Sequence, residues 1–130
     1  MKQNPVDEFL EAVEGAHMVD CDAFAAAAEL DATVPNWRFG VHGAEAITAE
    51  LGRWYADPGH FEELHRTSIA QGELVEFTLS WEEHGVPHAC HQVHVLALEG
   101  GKIISDRAWC GGRWPASLLA EMGEAARSGS

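Results

Sequence analysis

HACHQVHVLALEGGKIISDRAWCGG, residues 88–112, reads as a strand, a glycine turn and a second strand. Its first half sets His88, Cys90, Gln92 and His94 on one parity and Val93, Val95 and Ala97 on the other. Successive side chains on a strand point to opposite faces, so the polar set shares one face. A buried polar group without a partner costs on the order of 1–3 kcal/mol, so these residues must be either satisfied or used.

Working outward, ELVEFTLSWEE (73–83) alternates Val75, Phe77, Leu79 and Trp81 against Glu76, Thr78, Ser80 and Glu82, a half-buried antiparallel strand. FEELHRTSIAQG before it is a further strand with a weaker pattern. Upstream the period changes to 3.6. Asn4 and Pro5 open a first helix running to about Met18, with Phe9, Leu10, Val13 and His17 at helical spacing. Asp20 or Asp22 is placed to cap a second, short helix through AFAAAAEL. DATVPNWRF is a short extended piece broken by Pro35. AEAITAELGRWYA then puts Ile47, Leu51, Trp54 and Tyr55 on one stripe of a third helix, ending near Asp57-Pro58-Gly59. Pro115 opens a last short helix over SLLAEM. Helices followed by a run of strands predict an α+β domain, residues 1–130, with helices on one face of a bent antiparallel sheet.

The chain carries 21 Asp and Glu against 8 Lys and Arg, a formal charge of −13, which repels phosphate backbones and anionic membranes. Nucleic acid and membrane are not expected partners, and the lack of a signal-peptide pattern or long apolar run predicts a cytoplasmic protein. Three cysteines, Cys21, Cys90 and Cys110, lack CxxC spacing and form no disulfide framework. No metal or cofactor is expected: His88 with Cys90 and Cys110 lacks a fourth ligand, and no nucleotide fingerprint or G-x-S-x-G elbow occurs.

DATV at 31–34, HGAEAI at 42–47 and EGGKIISDRAW at 99–109, in that order, resemble the NTF2-like superfamily, which includes the ketosteroid isomerases and the SnoaL-like cyclases. The resemblance spans nearly the whole chain. It implies a cone-shaped α+β barrel with three N-terminal helices packed over the concave face of a strongly bent antiparallel sheet, enclosing a mostly apolar pocket. By this similarity Phe77, Leu79 and Trp81 point inward, as do Cys90, Gln92 and His94, and then Ile104, Asp106, Ala108 and Cys110. Trp37 and Trp54 join them as pocket-lining aromatic residues. Asn36, also expected to contact the ligand, falls where the isomerases carry their base aspartate, their helix-1 tyrosine falls near Gly15, and their donor aspartate becomes His94. An amide cannot accept the proton, so steroid isomerase activity is not expected.

With a three-residue loop at Glu99-Gly100-Gly101, Leu98 pairs with Lys102, His94 stands opposite Asp106, and Cys90 opposite Cys110. A His beside a carboxylate in an apolar site is suited to general acid–base work. Two functions are therefore expected. One is a cofactor-independent isomerase, cyclase or dehydratase moving a proton on a small hydrophobic substrate, with His94 and Asp106 catalytic. The other is a non-catalytic module binding a small hydrophobic ligand. Val93, Val95, Ala97, Ile103 and Trp109 on the opposite parity predict a homodimer through the sheet.

Overall fold

The computed structural model describes residues 4–128. Helix α1 (Pro5–Gly15) starts where the Asn4 side chain accepts a hydrogen bond from the Val6 N–H at 2.7 Å. It stops early, at Ala16, whose left-handed φ of 57° turns the following His17 N–H back onto the Ala12 carbonyl at 3.2 Å. A single 3₁₀ turn over Met18–Asp20 follows. Helix α2 (Ala44–Trp54) buries Ile47 and Leu51 of the expected stripe, together with Thr48, while Trp54 is half-buried. Helix α3 (Ala116–Arg127) packs beside the far end of the sheet and buries none of its described side chains.

The segment expected as a second helix is a strand. β1 (Phe24–Val34) alternates buried Ala28, Leu30 and Ala32 with exposed or half-buried neighbours. Alanine favours a helix by only a few tenths of a kcal/mol per residue over most residue types. Two neighbouring strands each offer β1 a hydrogen-bond ladder: β2 (Trp37–His42) pairs with it antiparallel and β6 (Lys102–Cys110) parallel. Two helices, not three, thus precede the long strands, and α3 is C-terminal.

The remaining strands are β3 (Gly59–Ile69), β4 (Gly72–Glu83), β5 (Val86–Glu99) and the two-residue β7 (Trp114–Pro115). They form a mixed seven-stranded sheet in the order β2-β1-β6-β5-β4-β3, with β7 on β5. Val75, Phe77 and Leu79 of β4, Leu96 of β5 and Ile103 and Ala108 of β6 meet Phe9 and Val13 of α1 and Leu51 of α2 in one core.

The β5–β6 hairpin differs from the expected register in two places. The loop has two residues, Gly100 and Gly101, at φ 60° and 78°, the left-handed pair that a tight hairpin turn requires, and Glu99 pairs with Lys102. That alone would turn Asp106 outward. A bulge then inserts Ile104: Leu98 pairs with Ile103, but Ala97 pairs with Ser105. The two offsets restore parity, so Leu96 faces Asp106, His94 faces Ala108 and Gln92 faces Cys110. His94 with Asp106, and Cys90 with Cys110, are therefore diagonal rather than opposed pairs. Ile103, expected on the outer face, is fully buried, and Ile104, expected inside, is the half-buried bulge residue.

Candidate functional site

His94 and Asp106 are both completely buried. Nδ1 of His94 lies 2.9 Å from Oδ1 and 3.1 Å from Oδ2 of Asp106. A carboxylate only accepts, so Nδ1 carries the hydrogen. On the other side of the ring, Nε2 lies 2.9 Å from Oε1 of Gln92 and 3.3 Å from the Tyr55 hydroxyl. That hydroxyl donates to the same Gln92 oxygen at 2.5 Å. Phe77 stacks on the imidazole at a centroid distance of 5.6 Å and Phe9 meets it edge-on at 5.2 Å, which fixes the ring plane. Among the described residues no buried side-chain nitrogen or oxygen lacks a partner. The polar parity of β5 is thus satisfied within the protein.

Gln92 is the hinge of the arrangement. Its Nε2 donates to Cys110 Sγ at 3.4 Å and to Cys90 Sγ at 3.6 Å. The Gly112 N–H also donates to Cys110 Sγ, at 3.4 Å. The hydrogen bond from Cys90, helped by the Gly112 N–H and Gln92, holds the Cys110 thiol down to about 6 against the opposing effect of burial. The same hydrogen bond, together with burial, pushes Cys90 far up.

Gln92, Cys90 and Cys110 line one wall of a cavity of about 560 Å³. Trp54, Trp81, Val34 and Pro35 supply apolar wall, and Glu50, Arg53 and Arg113 supply charge. The Arg113 guanidinium lies over the Trp81 ring, 5.5 Å from its centroid, and pairs with Glu83. Arg53 pairs with Glu50, which also accepts from Trp54 Nε1 at 3.0 Å. Each guanidinium is thus paired with a carboxylate, so the wall carries no net positive charge and offers a ligand N–H donors from Gln92, Arg53 and Arg113.

Of the residues expected to contact a ligand, Trp54, Trp81, Cys90, Gln92 and Cys110 line the cavity. Phe77, Leu79 and Ala108 face inward but are packed core behind it. Trp37 is 67% exposed on β2 and does not line it. Asn36 does not line it either: it takes the left-handed turn position, φ 64°, between β1 and β2, where an asparagine is well tolerated. His94 and Asp106 do not reach the cavity surface, because Gln92 stands in front of them.

Sequence reasoning placed Tyr55 on a helix stripe without its hydrogen bonds, and did not single out Glu50, Arg53 or Arg113. The signal for Tyr55 was its position just past the helix end, where the chain leaves helical geometry at φ −113° and ψ 57° and the ring turns inward. Among the described residues no cluster of three His, Cys, Asp or Glu side chains is arranged to hold a metal. His88 Nε2 instead lies 3.0 Å from a Glu83 carboxylate oxygen, and its ring stacks on Trp81.

A sheet of this order packed against α1 and α2 is a known architecture. The chain has the NTF2-like fold. A protein with a ketosteroid isomerase-like fold from Catenulispora acidiphila, solved in complex with trimethylamine, superposes with a TM-score of 0.68 at 20% identity, over 95% of each chain. An NTF2-like protein from Anabaena variabilis gives 0.68 at 15% identity, over 83% of this chain and 84% of that one. A LEH-like epoxide hydrolase of M. tuberculosis gives 0.61 at 19% identity, over 82% and 79%. No family model matches the chain, and no curated protein matches it in sequence. Also, no helix among the described residues is long and apolar enough to cross a membrane.

Proposed function

We propose that this NTF2-like protein binds a small, mainly apolar molecule in the cavity beside α2, through contact with Trp54 and Trp81 and a polar contact to Gln92. The observation that carries this reading is the cavity itself, whose 560 Å³ falls within the roughly 300–1,000 Å³ usual for small-molecule sites. Its N–H donors, the Gln92 amide and the Arg53 and Arg113 guanidiniums, favour a ligand bearing an oxygen acceptor or carboxylate over an amine. A cation would meet Arg53 and Arg113, and Arg113 already lies over Trp81. This differs from the trimethylamine held by the Catenulispora protein.

Naphthoate and naphthylmethylammonium, matched in apolar body and opposite in charge, test this by calorimetry. Naphthoate is expected to bind, and Trp81→Ala to weaken it about tenfold, the worth of roughly 1.4 kcal/mol for losing an aromatic wall. Tighter binding of the amine, or no effect of Trp81→Ala, overturns the reading.

The proton-transfer reading, an isomerase, cyclase or dehydratase using His94 and Asp106, has the buried pair itself in its favour. It requires Gln92 to leave Nε2 before a substrate proton comes within hydrogen-bond reach. The present geometry therefore supports binding better than acid–base chemistry.

The reading extends to assembly. Val93, Val95 and Ala97 are half-buried on the outer face of the sheet, and Trp109 beside them is 39% exposed under Arg107. We propose that a second copy covers this face. Light scattering at micromolar concentration should then give about twice the 14.1 kDa chain mass, whereas a single-chain mass would contradict it.

A further inference from the structure

The cavity wall carries chemistry that a passive pocket does not need. Cys110 is half-buried on the cavity surface, and two donors converge on its sulfur, the Gly112 N–H and Gln92 Nε2, each at 3.4 Å. Gln92 is itself oriented by Tyr55 and His94, which hold its oxygen and so aim its amide nitrogen at the sulfurs. The satisfied dyad behind the wall thereby positions a donor on the reactive side. We propose that Cys110 is a nucleophile that captures a soft electrophilic carbon of the bound ligand, such as the β-carbon of an α,β-unsaturated carbonyl compound. The proposal rests on the cavity's being the ligand site.

The lowered Cys110 thiol supports this, because the thiolate is the attacking species and is abundant near neutrality only when stabilised. The ionisable groups around that sulfur are Cys90 and His94 on β5, Asp106 on β6, Tyr55, Glu50 and Arg53 at the end of α2, and Arg113 after β6. In the capture step the sulfur lone pair forms the S–C bond and the alkene π pair moves onto the carbonyl oxygen. The enolate then takes a proton at the α-carbon, replacing the one lost when the thiol ionised. The net change is addition of S–H across the double bond, with no oxidant and no leaving group.

N-ethylmaleimide, a cyclic unsaturated dicarbonyl compound, is the probe. At substoichiometric dose, followed by peptide mass mapping, native Cys110 should be labelled at least tenfold faster than Cys21 near pH 7. The Cys21 thiol is pushed up to about 11, chiefly by burial. The Cys110 rate should level off above about pH 7 instead of climbing to about pH 9. Cys90→Ala, which removes the neighbouring thiol that helps to lower Cys110, should move that midpoint upward, with near-ultraviolet circular dichroism checking that packing is intact. Equal labelling of Cys110 and Cys21, or a Cys110 rate still climbing at about pH 9, overturns the proposal. Saturating naphthoate separates the two readings. If naphthoate binds but Cys110 is slow, the pocket stands and the nucleophile falls. If Cys110 is fast and naphthoate does not slow it, the sulfur is reactive but the cavity is not the ligand site.

Discussion

Asp106→Ala is expected to lower the unfolding free energy by about 3–5 kcal/mol, because it leaves a wholly buried imidazole nitrogen without its acceptor. Natural domains hold only about 5–15 kcal/mol in total, so this variant should lie near the edge of folding. The loss comes from the orphaned partner more than from the pair's own attraction. Hence His94→Leu combined with Asp106→Ala, which removes both polar groups, should be destabilised by clearly less than the sum of the single changes. Urea denaturation of the three variants measures this. A single-variant loss under about 1 kcal/mol would mean that water reaches Nδ1 and that the burial described here is wrong.

The second large effect is alkaline. Tyr55 is the chain's single tyrosine, so phenolate absorbance near 295 nm reports on it alone. Burial first, then the nearby Cys90, Asp106 and Cys110, raises its phenol well above the ordinary value of 10, with only the Gln92 hydrogen bond opposing. A group whose neutral form is favoured in the folded state contributes stability that is full below the unfolded pKa and is lost as the pH rises above it. The phenolate should therefore appear well above pH 10, in one cooperative step with loss of circular dichroism. Tyr55→Phe should remove this contribution and broaden the stable range on the alkaline side. Smooth titration near pH 10 in a folded protein would show the hydroxyl to be open to water, contrary to its hydrogen bond with Gln92.

Much of the site was legible because strand parity is local. The alternation in residues 73–83 and 88–98 set Phe77 with Leu79, and Cys90 with Gln92 and His94, on one face of each strand; the resemblance to the NTF2-like superfamily pointed that face inward, and the structure buries all five. The partnership of His94 with Asp106 was also anticipated, although through a register that does not occur. A two-residue loop and the Ile104 bulge each shift pairing by one, and together they return Asp106 to the inner face. A bulge is a property of how two strands twist against each other, and nothing in KIISD marks which residue will be extruded.

Where local propensity and tertiary pairing disagreed, pairing prevailed. AFAAAAEL has a helical composition, yet it lies between β2 and β6, where each ladder satisfies backbone groups that a helix would otherwise have to satisfy internally. The weak alternation of Ala28, Leu30 and Ala32 was the signal, and alanine's small apolar surface made it faint.

The sequence by itself determined which side chains share a face, where α1 and α2 begin, and the excess of acidic charge, since each depends on neighbours a few residues apart or on composition. Only the tertiary structure decided that Gln92 screens His94 from the cavity, that Cys110 gathers donors from β5 and from the turn after β6, and that arginines from two distant segments, each paired with a carboxylate, meet on one wall of the cavity. Those facts depend on register and on the meeting of chain segments far apart in sequence, which the packing of the whole sheet against its helices sets.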